Sequence, residues 1–145
     1  MAAAVLAVAM LGGCGAGPEL ESLQNERFSD LSRTTVASAV HEQSRHETKA
    51  GTTMGKPVYA GITVTYTITG DPQAAFDKIR DLAVTDGWAL GEPDETIGGT
   101  TVLGDKQLND TLRGKLALTF VPGGRNTLTG EPGPAVITAL TALPT

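Results

Sequence analysis

Between Val58 and Thr69 the chain alternates without a break. Val58, Ala60, Ile62, Val64, Tyr66 and Ile68 hold one set of positions, and Tyr59, Gly61, Thr63, Thr65, Thr67 and Thr69 hold the other. A period of two turns successive side chains to opposite sides of a pleated strand, so the stretch predicts a half-buried β-strand with one apolar and one threonine face. The residues that follow say what covers the apolar face. Gly70 breaks the strand, Asp71 stands where a helix N-cap accepts backbone N–H groups, Pro72 suits the first helical position, and Gly87 suits the C-terminal end. Between them Ala75, Phe76, Ile79, Leu82 and Ala83 share one side of a helix, leaving Asp77, Lys78, Arg80 and Asp81 to water. The expectation is a helix over 72–86 lying on Ile62, Val64 and Tyr66, with Trp88 closing the edge of the contact.

The remainder of the chain extends this two-layer unit. From Glu19 to about Glu42, helix formers carry Leu20, Leu23, Phe28, Leu31, Val36, Ala39 and Val40 at mixed spacings, which predicts an amphipathic helix best defined from Ser29 or Asp30 onward. Ser44 to Ala50 is polar and reads as an edge strand or the end of that helix. Gly51 to Pro57 reads as a turn. After Leu90, Gly91 to Pro93 is a turn, Thr96 to Leu103 a strand interrupted by Gly98-Gly99, and Gly104 to Asp110 a polar connection. Leu112 to Val121 returns to alternation, with Gly114, Leu116, Leu118 and Phe120 opposite Arg113, Lys115 and Thr119. Pro122 to Asn126 reads as a turn and Thr127 to Pro134 as a loop. Ala135 to Leu143 is apolar on both faces, which requires a central place in the sheet or a covering partner. These segments sum to an α+β domain: a mainly antiparallel sheet of about four to five strands with one or two helices packed on one face.

A chain of 145 residues has room for one modest domain. Aromatic residues are only 4% of it, so the core is aliphatic, with Phe28, Tyr59, Tyr66, Phe76, Trp88 and Phe120 as its few large pieces. A single cysteine excludes an internal disulfide, which leaves packing as the source of stability. The net charge of -5 is carried entirely after Cys14. An acidic domain of this kind does not seek nucleic acid or an anionic lipid surface.

The first residues, Met1 to Leu11, form an uncharged apolar run followed by small residues, which is the shape of a signal-peptide core and its cleavage region. The run is too short for a membrane-spanning helix, which takes about 20 apolar residues. Leu11-Gly12-Gly13-Cys14 then resembles the lipobox of bacterial lipoproteins. That resemblance implies a diacylglycerol on the Cys14 sulfur, cleavage just before Cys14 with Leu11, Gly12 and Gly13 as the cleavage region, and acylation of the new amino group. The layout becomes a signal peptide over 1–13, a lipidated tether over 14–18 and one α+β domain over 19–145, held at the extracytoplasmic face of the cell membrane. Two or three acyl chains hold a protein stably where one holds it marginally. Signal peptides open on Lys or Arg, and none precedes Cys14. That departure leaves a start upstream of Met1 or a weaker leader, and a plain free or buried cysteine stands as the alternative to lipidation. In its Ala, Gly, Thr and Pro bias the chain is also similar to small lipoproteins of high-GC Gram-positive bacteria.

Motifs that carry chemistry are few. His41 and His46 lie at i and i+5, about 140° apart on a helix, whereas a zinc-protease pair needs i and i+4. Gly99 and Gly104 have the separation of a phosphate-binding loop, but Asp105 stands where the lysine belongs and Lys106 comes one residue late. A turn between strands is the expected reading there. Asp77 with Asp81, and Asp94 with Glu95, are carboxylate pairs that a solvated face explains, and Asn109-Asp110-Thr111 is a chance match to a glycosylation acceptor. The distinctive surface is the threonine face, Thr63, Thr65, Thr67 and Thr69, either a wet face with high β-propensity or a platform of hydroxyls for glycan or peptide contact. The expectation for function is a lipid-anchored envelope protein with a non-catalytic binding or scaffolding domain, with no cofactor or metal, whose partners are the membrane through Cys14 and an envelope protein or glycan, not nucleic acid. The alternatives are an accessory subunit or enzyme acting on envelope components, or a lipid carrier.

Overall fold

The alternating stretch becomes a strand buried on one face, and it does so beside the last strand of the chain. In the computed structural model, which describes residues 17–96, 99–123 and 134–145, the main strands are β1 (Val40–Thr48), β4 (Gly61–Ile68), β7 (Gly99–Gln107), β8 (Leu112–Val121) and β9 (Ala135–Pro144). Short strands β5 (Ala89–Leu90) and β6 (Asp94–Thr96) both pair with β7. The order β1-β4-β9-β8-β7-β5, with β6 off the same edge, makes a seven-stranded sheet in which each described pairing is antiparallel. The α+β class and antiparallel sheet agree with the sequence. The strand number exceeds the expected four to five because the polar stretch 40–48 and two very short segments add themselves at the edges.

Two helices cover one face. The second, α2 (Pro72–Thr85), begins where the Asp71 side chain accepts from the amides of Gln73 and Ala74. It ends at Gly87, whose φ of +97° lets its own amide reach the carbonyl of Val84 and that of Trp88 reach Ala83, satisfying two of the last carbonyls. Its stripe Ala75, Phe76, Ile79, Leu82 and Ala83 is buried as the spacing requires. Phe76 stacks on Phe120 of β8 at 4.8 Å between ring centres. The strip over β4 and β9 is instead taken by α1 (Gly17–Gln24) and the segment after it. Gly17 and Pro18, expected in the tether, open α1, where a proline is tolerated in the first turn.

The long helix expected over 19–42 is not formed. After Gln24 the chain makes three short 3₁₀ turns, Arg27–Ser29, Leu31–Arg33 and Ala37–Ala39, and then enters β1. Its apolar residues explain why. Leu20, Leu23, Phe28, Leu31 and Val36 are all buried, yet they stand three, five, three and five apart, which no single helical stripe provides. Small polar side chains compete for the backbone between them. Asp30 accepts from the Ser32 amide, the Ser29 hydroxyl donates to the Gln24 carbonyl, and the Thr34 hydroxyl donates to the Leu31 carbonyl. The stretch 51–57 is likewise more than a turn: β2 (Gly51–Thr53) and β3 (Lys56–Val58) form a hairpin that is a two-stranded sheet of its own. Gly104 to Gln107, expected as a connection, continues β7.

Register assigns each face. Tyr66, Val136 and Phe120 form one cross-strand row; Val64, Thr138, Leu118 and Val102 form the next; Ile62, Leu140, Leu116 and Gly104 form the third. These rows meet the helices in one buried cluster with Leu23, Phe28, Leu31, Ile79 and Trp88. Two glycines make room for Trp88 and Leu90. A Cβ on Gly114 would come within 2.9 Å of the Trp88 ring, and one on Gly104 within 2.8 Å of Leu90. β9 lies between β4 and β8, as its two apolar faces require. No helix among the described residues is long and apolar enough to cross a membrane.

One buried polar contact joins the irregular segment to this core: the Leu31 amide donates to the hydroxyl of Tyr66 at 3.0 Å. Tyr66→Phe keeps the ring and strands that amide, so it should lower unfolding free energy by about 1–3 kcal/mol, read as a drop in the urea midpoint.

Candidate functional site

The structure disperses most of the chemically suggestive residues. His41 and His46 are in β1, not at a helix end. A bulge between Glu42 and Ser44 puts both on the threonine side of the sheet, opposite Thr67 and Thr63. Four residues of β4 separate those partners, about 13 Å at strand rise, which no single ion with bonds of about 2 Å bridges. Gly99 to Lys106 is strand β7 and neither a loop nor a turn. Its glycines serve close approach, since a Cβ on Gly99 would lie 2.4 Å from the Phe120 carbonyl oxygen. Lys106 turns to the other side, where its ammonium is 2.7 Å from Glu26 and 5.7 Å from the centre of the Trp88 ring.

The carboxylates fare no better as a site. Asp77 and Asp81 are exposed on α2 and border, with Arg80, Leu90 and Glu92, an open recess of about 450 Å³. Asp77 accepts from Gln73 one turn away. Asp94 and Glu95 are exposed on β6 and pair with Thr101 and Thr100. The Asn109 side chain is occupied within its own turn, accepting from the amides of Thr111 and Leu112 and from the Thr111 hydroxyl. Among the described residues no three His, Cys, Asp or Glu side chains gather to hold a metal ion. Leu11, Gly12, Gly13 and Cys14 lie outside the described residues.

The threonine face is the part that gathers. Register extends it across the sheet in rows: Ser44, Thr65, Ile137, Thr119 and Thr101; then His46, Thr63, Ala139, Ala117 and Leu103; then Thr48, Gly61, Thr141, Lys115 and Asp105. Five strands at a spacing of about 4.8 Å make each row about 19 Å wide. One end of this face is closed, with Thr65, Ala135, Ile137 and Val121 buried yet outside the helix-side cluster. The other end is open. There Thr63 is exposed, Ala117 and Ala139 are half-buried, and Leu103 is 62% exposed. Leu103, Asp105, Lys115, Ala117, Ala139 and Thr141 line a shallow recess of about 390 Å³, rimmed by the Asp105–Lys115 ion pair. The sequence singled out the four threonines but not Leu103, Ala117 and Ala139. Only cross-strand register, which joins residues far apart in the chain, brings them into one row with Thr63.

The opposite face at the β1 edge is polar and self-satisfied. Arg45 pairs with Glu42 at 2.9 Å and with Glu47 at 3.3 Å, and Gln24 donates to Glu47 at 2.9 Å. Hydrogen bonding to Glu42 holds the Arg45 guanidinium still further toward its charged form. Burial pushes the Tyr66 phenol up. For Asp30, partial burial pushes the carboxyl up, but hydrogen bonds from the Ser32 hydroxyl and amide, with Arg45 and Arg33 nearby, outweigh it and bring it below its ordinary value. These groups brace the N-terminal segment against the sheet edge. The open face, by contrast, carries hydroxyls, small apolar groups and the exposed Leu103, with His46 at its β1 edge and the Asp105–Lys115 ion pair at its rim. Comparison with known protein families, curated proteins and solved structures finds no match.

The Asp30 brace has a signed pH dependence. Its folded pKa is depressed, so its contribution is complete above the unfolded value of about 3.9 and fades as pH falls through the folded value. Asp30→Ala should therefore cost about 1 kcal/mol at pH 7 by loss of the turn cap. The gap to the parent protein should close as urea titrations are taken below about pH 3.9.

Proposed function

We propose that this chain is a lipid-anchored cell-envelope protein whose folded domain binds a protein or glycan partner without transforming it. The observation that carries the binding role is the open sheet face, which no helix among the described residues covers and on which Thr63, Ala117, Ala139 and Leu103 share one row. Packed domains cover such faces, and an exposed leucine over small side chains is a surface that gains by being covered. The anchoring role rests on Leu11-Gly12-Gly13-Cys14, which stands three residues before the first helix. With that spacing, acyl chains on the Cys14 sulfur would hold the domain against the extracytoplasmic face of the membrane.

The two halves of the reading separate experimentally. Cys14→Ala should abolish incorporation of a fatty-acid probe and move the protein from the membrane fraction to the medium; retention with unchanged fractionation and labelling overturns the anchor. Leu103→Lys, at an exposed position, should change stability by no more than about 0.5 kcal/mol. It should nonetheless abolish the crosslinked adducts formed on intact cells, and adducts of unchanged yield would overturn the role of the open face.

A further inference from the structure

We propose that the β2–β3 hairpin is a second membrane contact, which sets Met54 into the headgroup region of an anionic bilayer beside the Cys14 lipid. The inference rests on the anchored reading for the nearness of the membrane, and on the hairpin's own geometry for the contact.

The turn is the first observation. Met54 and Gly55 join β2 to β3 with φ of +52° and +79°, the left-handed pair of a two-residue hairpin turn. The first of these positions favours Asn, Asp or Gly, whose backbone reaches that region at low cost. Met54 is the only non-glycine among the described residues with positive φ, and it is 96% exposed. A long apolar side chain is therefore held in an unfavourable backbone conformation and gains no packing from the domain. An outlier of this kind points to a use outside the fold.

Charge and chemistry name the occupant. The domain as a whole is acidic, yet from Thr48 to Gly70 there is no Asp or Glu. Lys56 is exposed directly after the turn, where it pairs with Thr53 at the tip of the hairpin, and Tyr59, 44% exposed, stands past the other end of β3 at the hairpin root. An exposed apolar tip with a cation beside it and an amphipathic aromatic behind it form the pattern of interfacial membrane contacts, in which the apolar group enters the acyl boundary and the cation meets phosphate. The repulsion from the acidic remainder falls off within about 8–10 Å in physiological salt, so at contact Lys56 at the tip acts more strongly than Glu19 at the root.

Position supplies the third observation. Ala50, Thr52, Pro57 and Tyr59 line one recess of about 400 Å³ together with Glu19 in the first turn of α1. From the start of α1 at Gly17 back to Cys14 is three residues, a reach of at most about 11 Å. The hairpin root and the point of chain exit thus lie at the same end of the domain.

The test places a reporter at the tip. The full chain carrying Met54→Cys is expressed in its host, isolated with Cys14 lipidation read separately by a fatty-acid probe, and labelled at residue 54 with an environment-sensitive fluorophore. In vesicles of phosphatidylglycerol and phosphatidylcholine the emission should shift to the blue and be quenched by doxyl groups on the acyl chains. Both effects should weaken with Lys56→Glu, and in phosphatidylcholine alone. Fatty-acid labelling without any shift overturns the hairpin contact and leaves the anchor standing. A shift without fatty-acid labelling, kept when Cys14→Ser leaves residue 54 as the one thiol, upholds the contact and overturns the anchor. A shift seen only when envelope proteins are present, and never with pure lipid, overturns the bilayer as occupant in favour of a protein. As a check on folding, Met54→Asn, which suits the turn, should raise the melting temperature; in the Cys14→Ala background, where no acyl chain masks the hairpin, it should also reduce retention on phosphatidylglycerol vesicles, and equal retention there counts against the proposal.

Discussion

The whole sheet depends on one non-local pairing, the insertion of the last strand, β9, between β4 and β8. Thr63 faces Ala139 and Ala117 faces the same Ala139 from the other side, so a strand near the C-terminus supplies the bridge between the two halves of the chain. Until β9 is in place, β4 and β8 have no common edge, and their apolar faces cannot form the continuous rows that the helices cover. Such long-range contacts bear a loop-closure cost before they contribute stability, which predicts slow folding relative to helical domains of this size. It also explains the apolar character of β9: it is flanked by β4 and β8, lies under α1 on one face, and has Ala135 and Ile137 buried on the other.

Against that frame, the residues before β1 act as a lid that was not legible as one. Helix-forming composition between Glu19 and Glu42 suggested a single helix, but the decisive constraint is tertiary. Leu20 and Leu23 suit one turn of α1, whereas Phe28, Leu31 and Val36 each reach the core only if the chain re-aims after every few residues. The Tyr66 hydroxyl then takes the Leu31 amide, a donor that a continuous helix would have used internally. The same blindness applies to β1. Its residues are polar on both sides because it is an edge strand, and an edge strand lacks the alternation that makes β4 obvious.

What could be read from the sequence was whatever is local. β4 announces itself by period two, α2 by its cap, its stripe and Gly87, and β8 by the alternation of Leu112 to Val121. Each of these is decided by residues within one element. What could not be read was register. The glycines of β7 looked like loop or phosphate-binding signals, yet Gly104 is small because Leu90 passes directly over it, as Gly114 in the alternation of β8 is small because of Trp88. Likewise the threonines of β4 were visible as a face, but their continuation through Ala139 and Ala117 to Leu103 exists only once four strands are aligned. The proposed leader is the converse case: the resemblance of Leu11-Gly12-Gly13-Cys14 to a lipobox is carried by sequence alone, and those residues lie outside the described ones.

Register also relates the two proposed surfaces. On β9 the buried end of the open face is Ala135 and Ile137, and the half-buried, open end is Ala139 and Thr141, while Ala142 and Pro144 border the recess beside the hairpin. The open half of the binding face is therefore the half nearest the hairpin and α1. From Ala139 to Pro144 is five residues of strand, about 17 Å. That length of strand lies between the Leu103 row and the recess at the hairpin root. In the proposed arrangement a partner on the open face therefore sits within about one strand length of the hairpin root, and not at the far end of the sheet where Ala135 and Ile137 are buried.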